Sequence, residues 1–150
     1  MKIKHLATEK DTTDFAAQLA TIIPSSTIIF LEGSLGAGKT TFTRGFLRAL
    51  GVTSKIKSPT YTLVEPYEIA GKKIFHFDLY RLVDANELEQ IGIRDYFAQE
   101  AICIIEWPEK GSPLLPAADI VCHITFAASG RKLSMQATSE KGEQILQRIT

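Results

Sequence analysis

Apolar positions along the chain recur at two periods, and the change from one to the other marks out its elements. Phe15, Leu19 and Ile22 or Ile23 share one helical face, predicting a helix over 11–22 that Pro24 ends. Thr8 and Asp11 stand at capping-box spacing before it, with Asp in place of the usual Glu or Gln. The run Thr27-Ile-Ile-Phe-Leu-Glu32 is apolar and β-branched between its ends. That pattern predicts a strand covered on both faces, as in a parallel sheet between helices. A glycine-rich loop and a helical pattern over 39–50 follow, with Gly51 where a left-handed cap belongs. Residues 52–60 read as a basic loop rich in Ser and Thr, and 61–69 and 73–80 as a hairpin turning at Ala70-Gly71. Asp84 and Glu87 predict an N-capped short helix to about Ile91, stopped by Gly92. Residues 101–105 form a second fully apolar strand, and 108–116 a Pro-rich loop. Residues 120–126 and 132–137 form a second hairpin around Ser129-Gly130, after which Ser139 caps a final helix.

Helices and apolar strands alternate early, while hairpins are inserted and appended. This predicts an α/β fold with a mixed sheet, a parallel core carrying antiparallel hairpins. The 150 residues suit one domain, and a chain of that length buries roughly 68–70% of its surface on folding. The 17 basic and 17 acidic side chains cancel. A surface that grips nucleic acid alone carries a basic excess, so any RNA is expected to be held largely by partners. No apolar stretch has signal-peptide length or approaches the roughly 18 residues that span a membrane. Cys103 and Cys122 sit singly in apolar runs, without metal-ligand or CxxC spacing, and read as buried reduced thiols. The expected location is cytoplasmic.

Residues 33–40, Gly-Ser-Leu-Gly-Ala-Gly-Lys-Thr, match G-x-x-x-x-G-K-[ST] between a strand and a helix pattern. A loop wrapping phosphate oxygens must aim backbone N–H groups inward, which needs unusual dihedrals and no obstructing side chain. The helix that follows adds free N–H groups and the positive end of its dipole. Lys39 brings a point charge to the β- and γ-phosphates, and the Thr40 hydroxyl suits magnesium, which prefers oxygen. Thr41 adds a contact near the α-phosphate. The expected fold is therefore a three-layer α/β/α P-loop NTPase domain over 1–150, with ATP and Mg²⁺ as cofactors.

A P-loop site also needs a carboxylate at the end of a neighbouring strand. In Ile102-Cys-Ile-Ile-Glu106 four apolar residues lead into the acid, favouring Glu106 as the metal carboxylate. Ile74-Phe-His-Phe-Asp78 contains a histidine and looks less like a central strand. Asp78 is then a second carboxylate that orients water or metal-bound water, or else a strand-end acid paired with Arg81. The segment Lys57-Ser58-Pro59-Thr60-Tyr61-Thr62 occupies the place of a γ-phosphate-sensing loop. Thr60 and its neighbours are candidates to contact the γ-phosphate or the attacking water; a plain polar connection fits the spacing equally. Trp107, at a strand end, reads equally as a core residue or as a site or interface residue. His5, His76 and His123 show no nucleophile or metal spacing and read as structural. No Asn-Lys-x-Asp element for guanine is present, so ATP is expected rather than GTP. Arg131, in a hairpin turn, is a candidate to stack on the base.

Gly36-Ala-Gly-Lys-Thr-Thr41, Ser58-Pro-Thr-Tyr-Thr-Leu-Val64, His76-Phe-Asp-Leu-Tyr-Arg81 and Ile105-Glu-Trp107 occur together in this order. In that combination the chain resembles the bacterial TsaE (YjeE) family over nearly its whole length. The resemblance implies a weak ATPase of tRNA threonylcarbamoyladenosine biosynthesis that works with the TsaD–TsaB pair. That pair transfers threonylcarbamoyl to adenosine 37, using the adenylate made by TsaC, and the ATP cycle of the TsaE-like partner permits repeated turnover. By the same resemblance Thr40 and Glu106 bind magnesium, and Gly36, Ala37, Gly38, Lys39, Thr40 and Thr41 bind the phosphates. Arg131 and a residue near Glu9 approach the adenine. Lys39, Asp78, Glu106 and Thr60 are the candidates for catalysis. Contact with tRNA is indirect, through the partner complex. Hydrolysis alone should be slow, because Arg44 and Arg81 are only candidate arginine fingers. Two other readings stay open, a small P-loop metabolite kinase and a nucleotide-sensing module that does not hydrolyse. An acceptor-stimulated ATPase would mark the first, and turnover indifferent to TsaD–TsaB the second.

Overall fold

A computed structural model describes residues 1–149. The strands are β1 (Lys2–Leu6), β2 (Thr27–Gly33), β3 (Val64–Ile69), β4 (Lys72–Asp78), β5 (Ala101–Glu106), β6 (Ile120–Phe126) and β7 (Arg131–Ala137). The helices are α1 (Glu9–Ile22), α2 (Lys39–Ala49), α3 (Glu87–Gln90), α4 (Ile93–Phe97) and α5 (Glu140–Gln147). All strands join one seven-stranded sheet in the order β1-β7-β6-β2-β5-β4-β3. β6, β2, β5 and β4 are parallel, and β3, β7 and β1 add antiparallel edges. The mixed sheet has the expected parallel core and antiparallel additions.

Alternation of side chains along β5 explains the layering. Ile102 and Ile104 enter one core with α1, α2 and α5; Cys103 and Ile105 enter another with Leu88, Ile93, Tyr96 and Phe97. Both thiols are buried, and burial pushes each up to about 12. The capping box of α1 forms as expected, with Thr8 accepting from Asp11 N and the Asp11 carboxylate accepting from Thr8 N. The helix consequently starts at Glu9, two residues earlier than the apolar pattern alone indicates.

Five differences from the sequence reading have physical causes. β1 is an additional strand; Lys-Ile-Lys-His-Leu is too polar to stand out, and its place comes from pairing with β7. The first hairpin turns at Ala70 and Gly71, both with positive φ, as a two-residue turn requires. Its strands are shorter, however, because 61–63 form a turn that ends at Leu63 (φ 70°). Asp84 does not cap α3: its carboxylate accepts from Asn86 N in a tight turn, while Glu87 reaches back to Asp84 N. After Gly92 the chain re-enters a helix, the unanticipated α4. Finally, β4 is interior, between β5 and β3, with Ile74–Asp78 buried throughout; its histidine is accommodated by a carboxylate on β5.

α1 and α2 pack directly together, and Gly45 sets how closely. A Cβ at Gly45 would lie 2.8 Å from Thr13 Cα and 2.9 Å from Thr13 O. Gly45→Val is therefore expected to lower unfolding stability by about 1–3 kcal/mol, read as a reduced urea midpoint with an unchanged m-value. A midpoint equal to the parent's would contradict this packing.

Candidate nucleotide site

The site is built where β2 gives way to α2. Between them Gly36 (φ 82°) and Gly38 (φ 112°) adopt left-handed conformations, with no atom within 4 Å of where a Cβ would project. This open concave turn is where a polyphosphate would lie. The start of α2 differs from the other long helices. α1 is capped by Thr8 and α5 by Ser139, each with acidic residues in its first turn. α2 begins after Gly38 with no side-chain cap and no acid in its first turn. Its free N–H groups and positive dipole end are left for an external anion.

Lys39 is 5% exposed. Its ammonium donates to Gly33 O and to Ser34 O (3.1 Å) and sits 3.9 Å above the centre of the Trp107 ring. Burial lowers its pKa from 10.5, opposed by the charges of Glu106, Glu109 and Asp78. Trp107 follows Glu106 in a left-handed conformation (φ 58°), which turns its ring under the lysine. Trp107 lines the cavity beside Lys39 and also packs against the core that holds Phe77, Leu79 and Ile105.

The strand ends bring the carboxylates together. In the β4–β5 register Asp78 stands opposite Glu106, and β2 places Leu31 on the other side of that glutamate. Glu106, 3% exposed, accepts from Thr43 Oγ1 (3.3 Å) and is 2.7 Å from His76 Nε2. Asp78, 8% exposed, accepts from Tyr80 N (3.0 Å) and Thr60 Oγ1 (3.3 Å), and Thr60 also pairs with Ser58 Oγ at 2.8 Å. It is not paired with Arg81, whose guanidinium lies 4.7 Å from the Tyr61 ring centre. Burial raises the Asp78 pKa above 3.8 and the neighbouring Glu106 charge adds to that; the Tyr80 amide, His76 and Thr60 oppose it.

A cavity of about 380 Å³ gathers Gly36, Gly38, Lys39, Thr40, Thr41, Thr60, Asp78 and Glu106, together with Arg81 and Trp107. A second, of about 300 Å³, joins it across Gly36, Gly38 and Thr41 and is lined by Glu9, Thr12 and Arg131. Ala37 is buried beneath the loop and lines neither cavity. Arg131 donates to Ala37 O (3.0 Å) and Gly36 O (3.4 Å), and its plane lies 4.3 Å from the Phe126 ring centre. It thus braces the outside of the phosphate loop, with one face already covered. Arg44 lies in neither cavity.

Among the described residues no group of three or more His, Cys, Asp or Glu could hold a metal ion alone. Thr40, Glu106 and Asp78 instead offer a few hard oxygens beside the phosphate cradle. That set fits magnesium, which keeps several waters and shares its ligands with substrate phosphates. His76, Thr43 and the Lys39–Trp107 contact were missed by sequence reasoning. The i, i+2 spacing of His76 and Asp78, which puts both on one strand face, was the signal available for the first.

The family model of threonylcarbamoyl adenosine biosynthesis protein TsaE matches residues 6–135, a span holding every expected site residue from Glu9 to Arg131. The chain belongs to the TsaE family. It is 54% identical over 119 residues to tRNA threonylcarbamoyladenosine biosynthesis protein TsaE of Haemophilus influenzae, covering 79% of this chain and 75% of that one. The Bacillus subtilis TsaE is 35% identical over 136 residues, covering 84% and 85%. A crystal structure of Bacillus subtilis YdiB superposes with a TM-score of 0.83 at 26% identity, covering 97% of this chain and 91% of that one. The TsaE fold of this chain is thus a P-loop fold, and among the described residues no helix is long and apolar enough to cross a membrane.

The raised Asp78 pKa carries a sign. Folding disfavours its ionised form, so its contribution to stability is present below pH 3.8 and is lost as pH rises through the folded pKa. In EDTA, Asp78→Asn is expected to raise the urea midpoint at pH 7, with the gain vanishing as the pH falls below the ordinary aspartate range. A less stable variant at pH 7 would show that the carboxylate is not penalised by burial.

Proposed function

We propose that this chain is a magnesium-dependent ATPase serving tRNA threonylcarbamoyladenosine biosynthesis, and that it acts with TsaD–TsaB rather than performing the transfer. The observation that carries the ATPase reading is the uncapped, acid-free start of α2 facing an open glycine turn, with Lys39, Glu106 and Asp78 around one cavity. The pathway reading is supported by the names of the relatives.

In this reading the amides of 36–41 cradle the phosphates, and Lys39 leaves its carbonyl partners to neutralise the β- and γ-groups. Thr40 and Glu106 hold magnesium, which supplies charge neutralisation where negative charge develops. Asp78, tied to Thr60, orients the attacking water. Glu9 and Arg131 border the cavity for the adenine end, Arg131 by bracing the loop and presenting its uncovered face. Among the described residues Arg81 is the one arginine lining the phosphate cavity, and it rests on Tyr61. Hydrolysis by the isolated protein is therefore slow, and a partner that repositions Arg81 or supplies another cation accelerates it. The zero net charge suits a cytoplasmic protein that meets tRNA through TsaD–TsaB.

Trp107 is the only tryptophan and touches Lys39, so Mg-ATP should change its emission saturably. Lys39→Ala should bind ATP at least about tenfold more weakly, the loss of one charge-assisted contact, and fail to support repeated tRNA modification by TsaB, TsaC and TsaD. Unaltered multi-turnover modification with that variant would refute an ATP-driven role. Glu106→Ala should keep nucleotide binding and lose on the order of 100-fold in magnesium-dependent hydrolysis. Hydrolysis at the parental rate would reject Glu106 as the metal carboxylate.

A further inference from the structure

The Glu106 carboxylate is anchored asymmetrically. His76 Nε2, at 2.7 Å, and Thr43 Oγ1, at 3.3 Å, both meet Oε2. Oε1 has no hydrogen-bond partner among the described residues, and Glu106 lines the phosphate cavity. The anchors come from two different elements. His76 stands opposite Ile104 in the β4–β5 register, so its side chain lies on the same sheet face as Glu106, diagonally before it. Thr43 reaches down from α2, on the helical face of Thr40. The His76 and Glu106 side chains are each only 4% exposed.

Packing does not explain the imidazole. Its second nitrogen, Nδ1, is buried without a hydrogen-bond partner, a cost that an apolar side chain of similar size would avoid. Because an ionised carboxylate only accepts, the hydrogen of this contact sits on Nε2. What the histidine contributes is therefore the Nε2 donor.

We propose that His76, with Thr43, is a positioning residue for magnesium: together they pin Oε2 to the sheet and to α2, which leaves Oε1 presented to the metal. This rests on the ATPase reading above. Such outer contacts fix the direction of a ligand and thereby its affinity for the ion.

The test uses the full chain with ADP, and Mn²⁺ as the probe ion read by electron paramagnetic resonance. His76→Phe keeps the ring volume without a donor, and His76→Gln restores an N–H. The Mn²⁺ dissociation constant of the ADP complex should rise about 10–100-fold in His76→Phe and return most of the way in His76→Gln. ADP affinity measured in EDTA should stay close to the parent's in both. Thr43→Val, which removes the other anchor without touching β4, should weaken Mn²⁺ in the same direction and keeps the idea testable if His76→Phe does not fold. Parental Mn²⁺ affinity in the folded variants would overturn the proposal, as would His76→Gln falling as far as His76→Phe. If the parent complex itself takes up no Mn²⁺, the ATPase reading falls and this inference with it.

Discussion

An uncompensated helix N-terminus organises this protein. α1 and α5 satisfy their first amides with Thr8, Asp11 and Ser139. α2 has no cap of its own, and the glycines before it keep the approach clear of side chains. An exposed set of donors is tolerable at the surface, where water substitutes, and it becomes a binding device once a polyanion is available. The rest of the fold brings the remaining charges to the same end of the sheet. Glu106 and Asp78 lie at the carboxyl ends of parallel strands and Trp107 follows at once, which is where open α/β sheets form their ligand crevices.

The resting arrangement of Lys39 follows from the same economy of charge. A buried ammonium needs acceptors, and here it finds the Gly33 and Ser34 carbonyls and the π-face of Trp107. These neutral partners are exchangeable for phosphate oxygens in a way that a direct ion pair with Glu106 would not be. The two carboxylates are likewise held by neutral or hydrogen-bonding groups, Thr43 and His76 for one, Thr60 and the Tyr80 amide for the other. Charges kept apart in this way remain available to a cation.

Much of the frame was legible because it depends on local chemistry. The glycine loop, the apolar β2 and β5, the turn at Ala70-Gly71 and the Thr8 cap each need particular residues at fixed spacing, and each forms where the sequence places it. Non-local features were hidden. β1 exists through its ladder with β7, and the short α3 and α4 through burial of Leu88 and Ile93 against the sheet. His76 looked like a flaw in a strand until the β4–β5 register set it beside Glu106. Arg131 lies some ninety residues from the loop it braces, which no window along the chain could reveal.

The central claim is that backbone amides at the start of α2 receive the phosphate tail. Amide proton and nitrogen shifts, followed as Mg-ATP is added to the ¹⁵N-labelled chain, measure it most directly. The account predicts saturable, large perturbations at Gly36, Gly38, Lys39 and Thr40, well above those at the α1 and α5 starts. A titration that leaves those four resonances in place, or that saturates at some other surface, would contradict it.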